Sequence, residues 1–166
     1  MRPQIAVVGA GGVVGAGEAG AELLATAEAV GAGLAAAGAV LVCGGLGGVM
    51  EAACRGARSA RGLTVGLLPG TDRAAANPFV EVAIPTGLGE LRNALVARSG
   101  EAVIAVGGGY GTLAEIALAL KARTPVVGIA TWNLARPGWG VDEVERVESA
   151  EEAVERALAH ARARPG

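Results

Sequence analysis

The chain has 166 residues, 52% of them hydrophobic but only 2% aromatic, with 28 glycines and 14 basic against 16 acidic residues. A formal net charge of −2 with no basic run argues against nucleic-acid binding driven by phosphate neutralisation. The single lysine, Lys121, excludes a Walker A loop, which needs Gly-Lys-Ser/Thr.

The length suits one compact domain over 1–166. Its core has to be built from Ala, Val, Leu and Ile, because Phe79, Tyr110, Trp132 and Trp139 are the only large rings. Met-Arg-Pro-Gln leads into an apolar run without a signal-peptide cleavage pattern. That run, 4–9, reads as a strand, and 18–37 as the helix after it. Residues 29–50 are uncharged and long enough to span a bilayer. Seven of those 22 positions are glycine, however, which breaks a membrane helix into helix, turn, strand (39–43) and loop.

A helix over 47–60 and a strand over 63–68 follow, then the longest irregular piece, 69–79, which fits a lid as well as a simple crossover. Next come a strand at 80–84, a helix at 87–99, a strand at 101–106, a helix at 111–123 and a strand at 125–130. The last helix, 149–163, has the Ser149/Glu152 capping-box spacing at its start and Pro165 beyond its end. Short apolar strands alternating with amphipathic helices predict a doubly wound, Rossmann-like α/β fold with a mainly parallel sheet.

Cys43 and Cys54 form no CxxC pair, and the lone histidine, His160, reads as a solvent-facing helical residue. No metal site is expected, and buried free thiols suit a reducing, cytoplasmic setting.

Three strands run into glycines: Gly9, Gly11, Gly12, Gly15 and Gly17; Gly44, Gly45, Gly47 and Gly48; and Gly107, Gly108, Gly109 and Gly111. A strand, a glycine turn and a helix N-terminus present free backbone N–H groups and a positive dipole end to an anion. In an open parallel sheet these turns emerge at one edge, where ligands bind. Glycines after strands also allow tight turns with no ligand at all. Three such loops together favour a phosphate site built on Gly9, Gly11, Gly44, Gly45, Gly108, Gly109, Gly111 and Thr112.

The second and third loops resemble each other, Gly44-Gly45-Leu46-Gly47-Gly48-Val49-Met50-Glu51 aligning with Gly108-Gly109-Tyr110-Gly111-Thr112-Leu113-Ala114-Glu115. A dinucleotide site is the weaker reading. Gly109-x-Gly111-x-x-Ala114 has the required form, but no acid follows about 20 residues later to hold a ribose.

Arg92 falls in the first turns of the 87–99 helix, where a guanidinium can grip phosphate through two parallel bonds or pair with a surface acid. Thr112 and Glu115 have capping-box spacing, yet a carboxylate beside a phosphate loop can also orient a hydroxyl or stabilise an oxocarbenium-like sugar. Tyr110, inside the third loop, is a candidate to contact a base.

Gly107-Gly108-Gly109-Tyr110-Gly111-Thr112-Leu113-Ala114-Glu115 resembles the PGGxGTxxE signature of the LONELY GUY (LOG) family, and CGGLGGVMEAACRGA with LTVGLLPG is similar to that family's second glycine block. GGGYGTLAEIALAL and ELRNALVARS are most similar to a bacterial branch that also resembles molybdenum-cofactor carrier proteins. For the LOG enzymes the resemblance implies a nucleoside 5′-monophosphate phosphoribohydrolase, with Arg92 and Glu115 as the catalytic pair and Gly108 through Thr112 as the phosphate loop. It also implies a homodimer or higher homo-oligomer, with Trp132 and Trp139 near a subunit interface.

Three positions depart from the pattern: Asn93 replaces the Lys after the arginine, Gly107 replaces Pro, and Ala114 replaces Glu. Losing the lysine removes a cation that would help hold the phosphate or the departing base. Binding of a phosphorylated nucleotide-like or pterin-type molecule, with no required cofactor, is therefore the leading expectation; N-glycosidic cleavage is the alternative. A lysine decarboxylase is excluded, because Lys121 lies at the far end of its helix.

Overall fold

A computed structural model describes residues 1–12, 17–134, 138 and 143–163. Seven strands form one sheet: β1 (Gln4–Gly9), β2 (Val40–Cys43), β3 (Thr64–Leu68), β4 (Val82–Pro85), β5 (Ala102–Val106), β6 (Val126–Ile129) and β7 (Val144–Arg146). Their order is β4-β3-β2-β1-β5-β6-β7, and every pairing is parallel. The helices are α1 (Glu18–Ala36), α2 (Val49–Ser59), α3 (Asn93–Ser99), α4 (Tyr110–Lys121) and α5 (Ala150–Ala163). The fold is thus α/β and Rossmann-like, as the alternation of elements predicts.

Six strands lie close to their predicted spans, and β7 was not foreseen. Its three residues, Val-Glu-Arg, carry two charges at the sheet edge and show no apolar run. The predicted 87–99 helix is divided, with a 3-10 turn at Gly89–Arg92 running into α3. Crossover 69–79 contains only a 3-10 turn at Arg73–Ala75. It is stapled to the second glycine loop by Asn77, whose backbone N–H donates to Gly45 and whose side-chain amide donates to Leu46.

Successive strand residues alternate between two buried layers. Ile5, Val7, Leu41 and Ile104 pack beneath α1, α2 and α5, while Ala6, Val8, Val42 and Ala105 pack beneath α3 and α4. Small residues let these layers close tightly, as the sparse aromatics require. A Cβ at Gly31 or Gly56 would stand 1.9 Å from a carbonyl oxygen of the opposite helix, so the α1–α2 seam depends on glycine.

β1 and β5 are neighbours in register from Ile5↔Ala102 to Gly9↔Val106, yet α1 leaves on one side of the sheet and α4 on the other. This reversal is the topological switch point, and it opens a crevice beyond the strand C-termini. Ser149 accepts from the Glu152 N–H at the start of α5, as its spacing predicts. His160 differs from expectation, since its Nε2 is 2.6 Å from Glu145 Oε2, which ties α5 to β7. Cys43 and Cys54 are buried free thiols with sulfurs 3.5 Å apart. Among the described residues no helix is long and apolar enough to cross a membrane.

Candidate functional site

A cavity of about 530 Å³ occupies the switch-point crevice, a size typical of small-molecule sites. Its floor is Gly9, Ala10, Gly11 and Gly12 from the β1 end, together with Gly109 and Gly111 from the β5 end. Arg92, Asn93, Thr112, Glu115 and Glu90 supply a polar wall, and Leu46, Met50 and Pro69 an apolar one.

Arg92 ends the 3-10 turn and caps α3, and it is only 7% exposed. Room for its guanidinium comes from Gly44 after β2, where a Cβ would lie 2.4 Å from Arg92 Nη1. Nη1 in turn stands 3.4 Å from Glu115 Oε1, which is long for a charge-assisted bond.

Glu115 sits in the second turn of α4, buried against the sheet. Burial pushes its carboxyl up to about 7, although Arg92 beside it pulls the other way. The site therefore holds a carboxyl that exchanges its proton near neutral pH beside a fixed cation. Such a pair can balance an arriving anion or move a proton to or from a bound group.

Thr112 does not cap its helix. α4 begins at Tyr110 with Gly109 as N-cap and no side-chain cap bond, which leaves Thr112 inside the first turn. Thr112 Oγ1 and Arg92 Nε are both buried without a hydrogen-bond partner, and both residues line the cavity. Buried polar groups are nearly always bonded, so this pair requires an explanation. Gly108 holds Thr112 in place. Its φ is +122°, a conformation that side chains rarely adopt, and a Cβ there would meet Thr112 at 2.4 Å.

The structure brings Arg92, Asn93, Gly9, Gly11, Gly109, Gly111, Thr112 and Glu115 to one cavity. Gly44, Gly45 and Gly108 do not line it: Gly44 and Gly108 pack against the wall residues Arg92 and Thr112, and Gly45 packs against Leu68 and Gly66. Tyr110 is 81% exposed at the rim, its ring centroid 5.6 Å from that of Trp132. Trp132 donates from Nε1 to Gly109 O, and Thr131 donates to Gly107 O, so the segment after β6 ties back the third loop. Gly15 and Trp139 lie outside the described residues.

Sequence reasoning missed Leu46, Met50, Pro69, Gly89 and Glu90. Leu46 alone carried a signal, since it occupies the Tyr110 position of the aligned loops.

Fold and cavity together define a Rossmann-like α/β protein with a mainly apolar cavity, polar on one part of its wall, at the switch point of a parallel sheet. The chain belongs to the SLOG cluster4 family, whose model matches residues 4–162. It is 43% identical over 143 residues to an uncharacterized protein of Archaeoglobus fulgidus, covering 86% of this chain and 90% of that one. Its structure is similar to that of the molybdenum cofactor binding protein of Rippkaea orientalis, with TM-score 0.85, 36% identity, and 96% and 97% of the two chains covered. It is also similar to the molybdenum cofactor carrier protein of Chlamydomonas reinhardtii, with TM-score 0.79, 35% identity, and 96% and 99% covered.

Proposed function

We propose that this protein binds a phosphorylated small molecule of pterin or nucleotide type as a carrier or sensor. Arg92 and Thr112 take its anionic group, and Leu46, Met50 and Pro69 take its planar body. The observation carrying this reading is that two residues lining the same cavity, Arg92 and Thr112, each hold a buried side-chain atom without a hydrogen-bond partner, Nε and Oγ1. Leaving such a group unsatisfied costs about 1–3 kcal/mol, and a turn of either side chain toward the cavity would bring it to a phosphate oxygen.

The first-turn N–H groups of α4 and its dipole add to the same corner. Gly109 and Gly111, where an added Cβ would meet nothing within 4 Å, leave that corner open. Asn93 contributes an uncharged amide, which suits retention of a ligand better than departure of a leaving group. The similarity to molybdenum-cofactor proteins supports a pterin-type cargo. A cation, a hydroxyl and an apolar wall are grips that fit the organic part of such a ligand.

Native mass spectrometry of freshly purified protein, followed by calorimetric titration with phosphate esters, tests the proposal. A retained or bindable phosphorylated ligand, lost in Arg92→Ala, is expected. Absence of both retained and bindable ligand overturns it.

The second reading is hydrolysis of a nucleoside 5′-monophosphate, favoured by one observation, a carboxyl raised to about 7 near Arg92. Such a group can protonate a departing base. A panel of nucleoside monophosphates assayed for ribose 5-phosphate decides the matter. No release, or equal release from Glu115→Ala, removes the enzymatic reading.

A further inference from the structure

Two nucleophilic groups lie outside the ligand grip. Cys43 is the last residue of β2 and Cys54 lies midway along α2, both wholly buried, and their sulfurs stand 3.5 Å apart. The chain between them carries the second glycine loop, with Gly44 against the Arg92 guanidinium and Leu46 on the cavity wall. One helical turn before Cys54, on the same side of α2, Met50 lines the cavity as well.

The two thiols are chemically unequal. Cys54 donates to Cys43, and the Gly45 N–H donates to the same sulfur at 3.3 Å. With the nearby Arg92 charge, these bonds hold the Cys43 thiol below the usual thiol range against the opposing effect of burial. The Cys54 thiol is pushed up, first by its bond to Cys43 and then by burial. One sulfur is thus suited to attack and its neighbour to resolve.

We propose that Cys43 and Cys54 form a reversible disulfide that switches the ligand cavity, with hydrogen peroxide as the oxidant. The Cys43 thiolate attacks one peroxide oxygen. The S–O bond forms, the O–O bond breaks, and the departing hydroxide takes the Cys43 proton to leave as water. The Cys54 sulfur then displaces the oxygen held on Cys43. The S–S bond forms, the S–O bond breaks, and a second water leaves with the Cys54 proton. Two electrons have passed from the sulfurs to the peroxide, and a dithiol reductant returns them.

Bond formation closes the sulfur gap from 3.5 Å to about 2.05 Å. β2 is fixed by its pairing with β1 and β3, and α2 by its glycine seam with α1, so the intervening loop takes up the change. A sulfur drawn toward Cys54 leaves the Gly45 N–H, and Gly44 beside it seats Arg92. The oxidised loop therefore grips an anion less well, a consequence that rests on the functional reading above. Asn77 controls entry. It holds crossover 69–79 to the loop through Gly45 and Leu46 and also contacts the Cys54 thiol, so oxidant reaches the sulfurs when this staple opens.

Treating the intact protein with hydrogen peroxide tests this, read by mass spectrometry, by thiol alkylation after denaturation and by hydrogen exchange of the 43–49 backbone. The expected product has lost two hydrogens, offers no thiol to alkylation, and regains both thiols with dithiothreitol. Exchange at Gly45 should quicken, and calorimetry with adenosine 5′-monophosphate should show about tenfold weaker binding, the value of one charged hydrogen bond. Asn77→Ala should speed the crosslink, and Cys54→Ser treated alike should keep its own exchange rate at Gly45. Two thiols still open to alkylation after peroxide overturn the proposal. So does a disulfide that joins two chains, or one within the chain that leaves both exchange and affinity unchanged. If the reduced protein binds no nucleotide, the functional reading alone falls, and the crosslink and the exchange at Gly45 still decide this one.

Discussion

The second and third glycine loops align residue for residue, and the folded chain gives them opposite orientations. In the second loop Gly44 seats the Arg92 guanidinium, Gly45 packs on Leu68, and Leu46 turns into the cavity. In the third loop Gly109 and Gly111 are open to the cavity, and Tyr110, the counterpart of Leu46, stands outside. The aligned glutamates diverge too, Glu51 being half-buried and Glu115 buried beside Arg92. One loop therefore works as scaffold and the other as floor. The difference comes from neighbours, since the loop leaving β2 meets the Arg92 guanidinium whereas β5 lies at the switch point.

The largest expected effect tests the buried glutamate. The folded-state value of Glu115 is raised to about 7 from an ordinary 4.5, so the native state holds a proton that the unfolded state has released in between. Its contribution to stability is complete below about pH 4.5 and declines as pH rises through 7. The full span is on the order of 3 kcal/mol. Urea unfolding across pH 4–8 should show that decline for the wild type and a flatter curve for Glu115→Gln. Parallel curves would remove the distinction between the two glutamates.

Next in size is Gly108→Ala. A side chain at φ +122° is strained, and its Cβ would meet Thr112 at 2.4 Å. A loss of about 1–3 kcal/mol is expected in chemical denaturation. The counterpart, Gly44→Ala, should behave differently. Its new methyl meets the end of a long side chain, which can shift at low cost to stability, but the shift takes Arg92 out of place. Calorimetry with a phosphate ester should show about tenfold weaker binding, the value of one charged hydrogen bond, with little change in unfolding. Equal stability losses in both variants would mean that Gly44, like Gly108, serves the fold alone.

Much of this was readable before the structure. Apolar runs and glycine punctuation located six strands and the switch-point edge, because both signals are local in the chain. Arg92, Glu115 and Thr112 were found from residue type and spacing, and the cavity does contain them. The apolar wall was not readable. Leu46, Met50 and Pro69 come from the second loop, α2 and the β3 end, and nothing in an isolated apolar residue tells a core wall from a cavity wall. β7 was missed because a three-residue charged edge strand lacks periodicity. Thr112 shows the reverse failure. Its capping-box spacing is real, but α4 begins at Tyr110, so Thr112 lies within the helix instead of capping it.

The smallest effect separates floor from scaffold most directly. Gly111 is the second residue of α4, and a Cβ there would meet nothing within 4 Å. Alanine should therefore stabilise the helix by about 0.5–1 kcal/mol, the usual difference between the two residues. Gly47, its aligned partner, has only ordinary contacts at 3.5 and 3.7 Å, so Gly47→Ala should also fold normally. The two variants part in binding. Gly111 lines the cavity and Gly47 does not, so a methyl at 111 occupies ligand space while one at 47 points elsewhere. Gly111→Ala should gain a few degrees in thermal unfolding and lose several-fold in phosphate-ester affinity, whereas Gly47→Ala should bind as the wild type does. A glycine kept where alanine would be more stable is accounted for by the space it leaves, and undiminished binding by Gly111→Ala would take that account away.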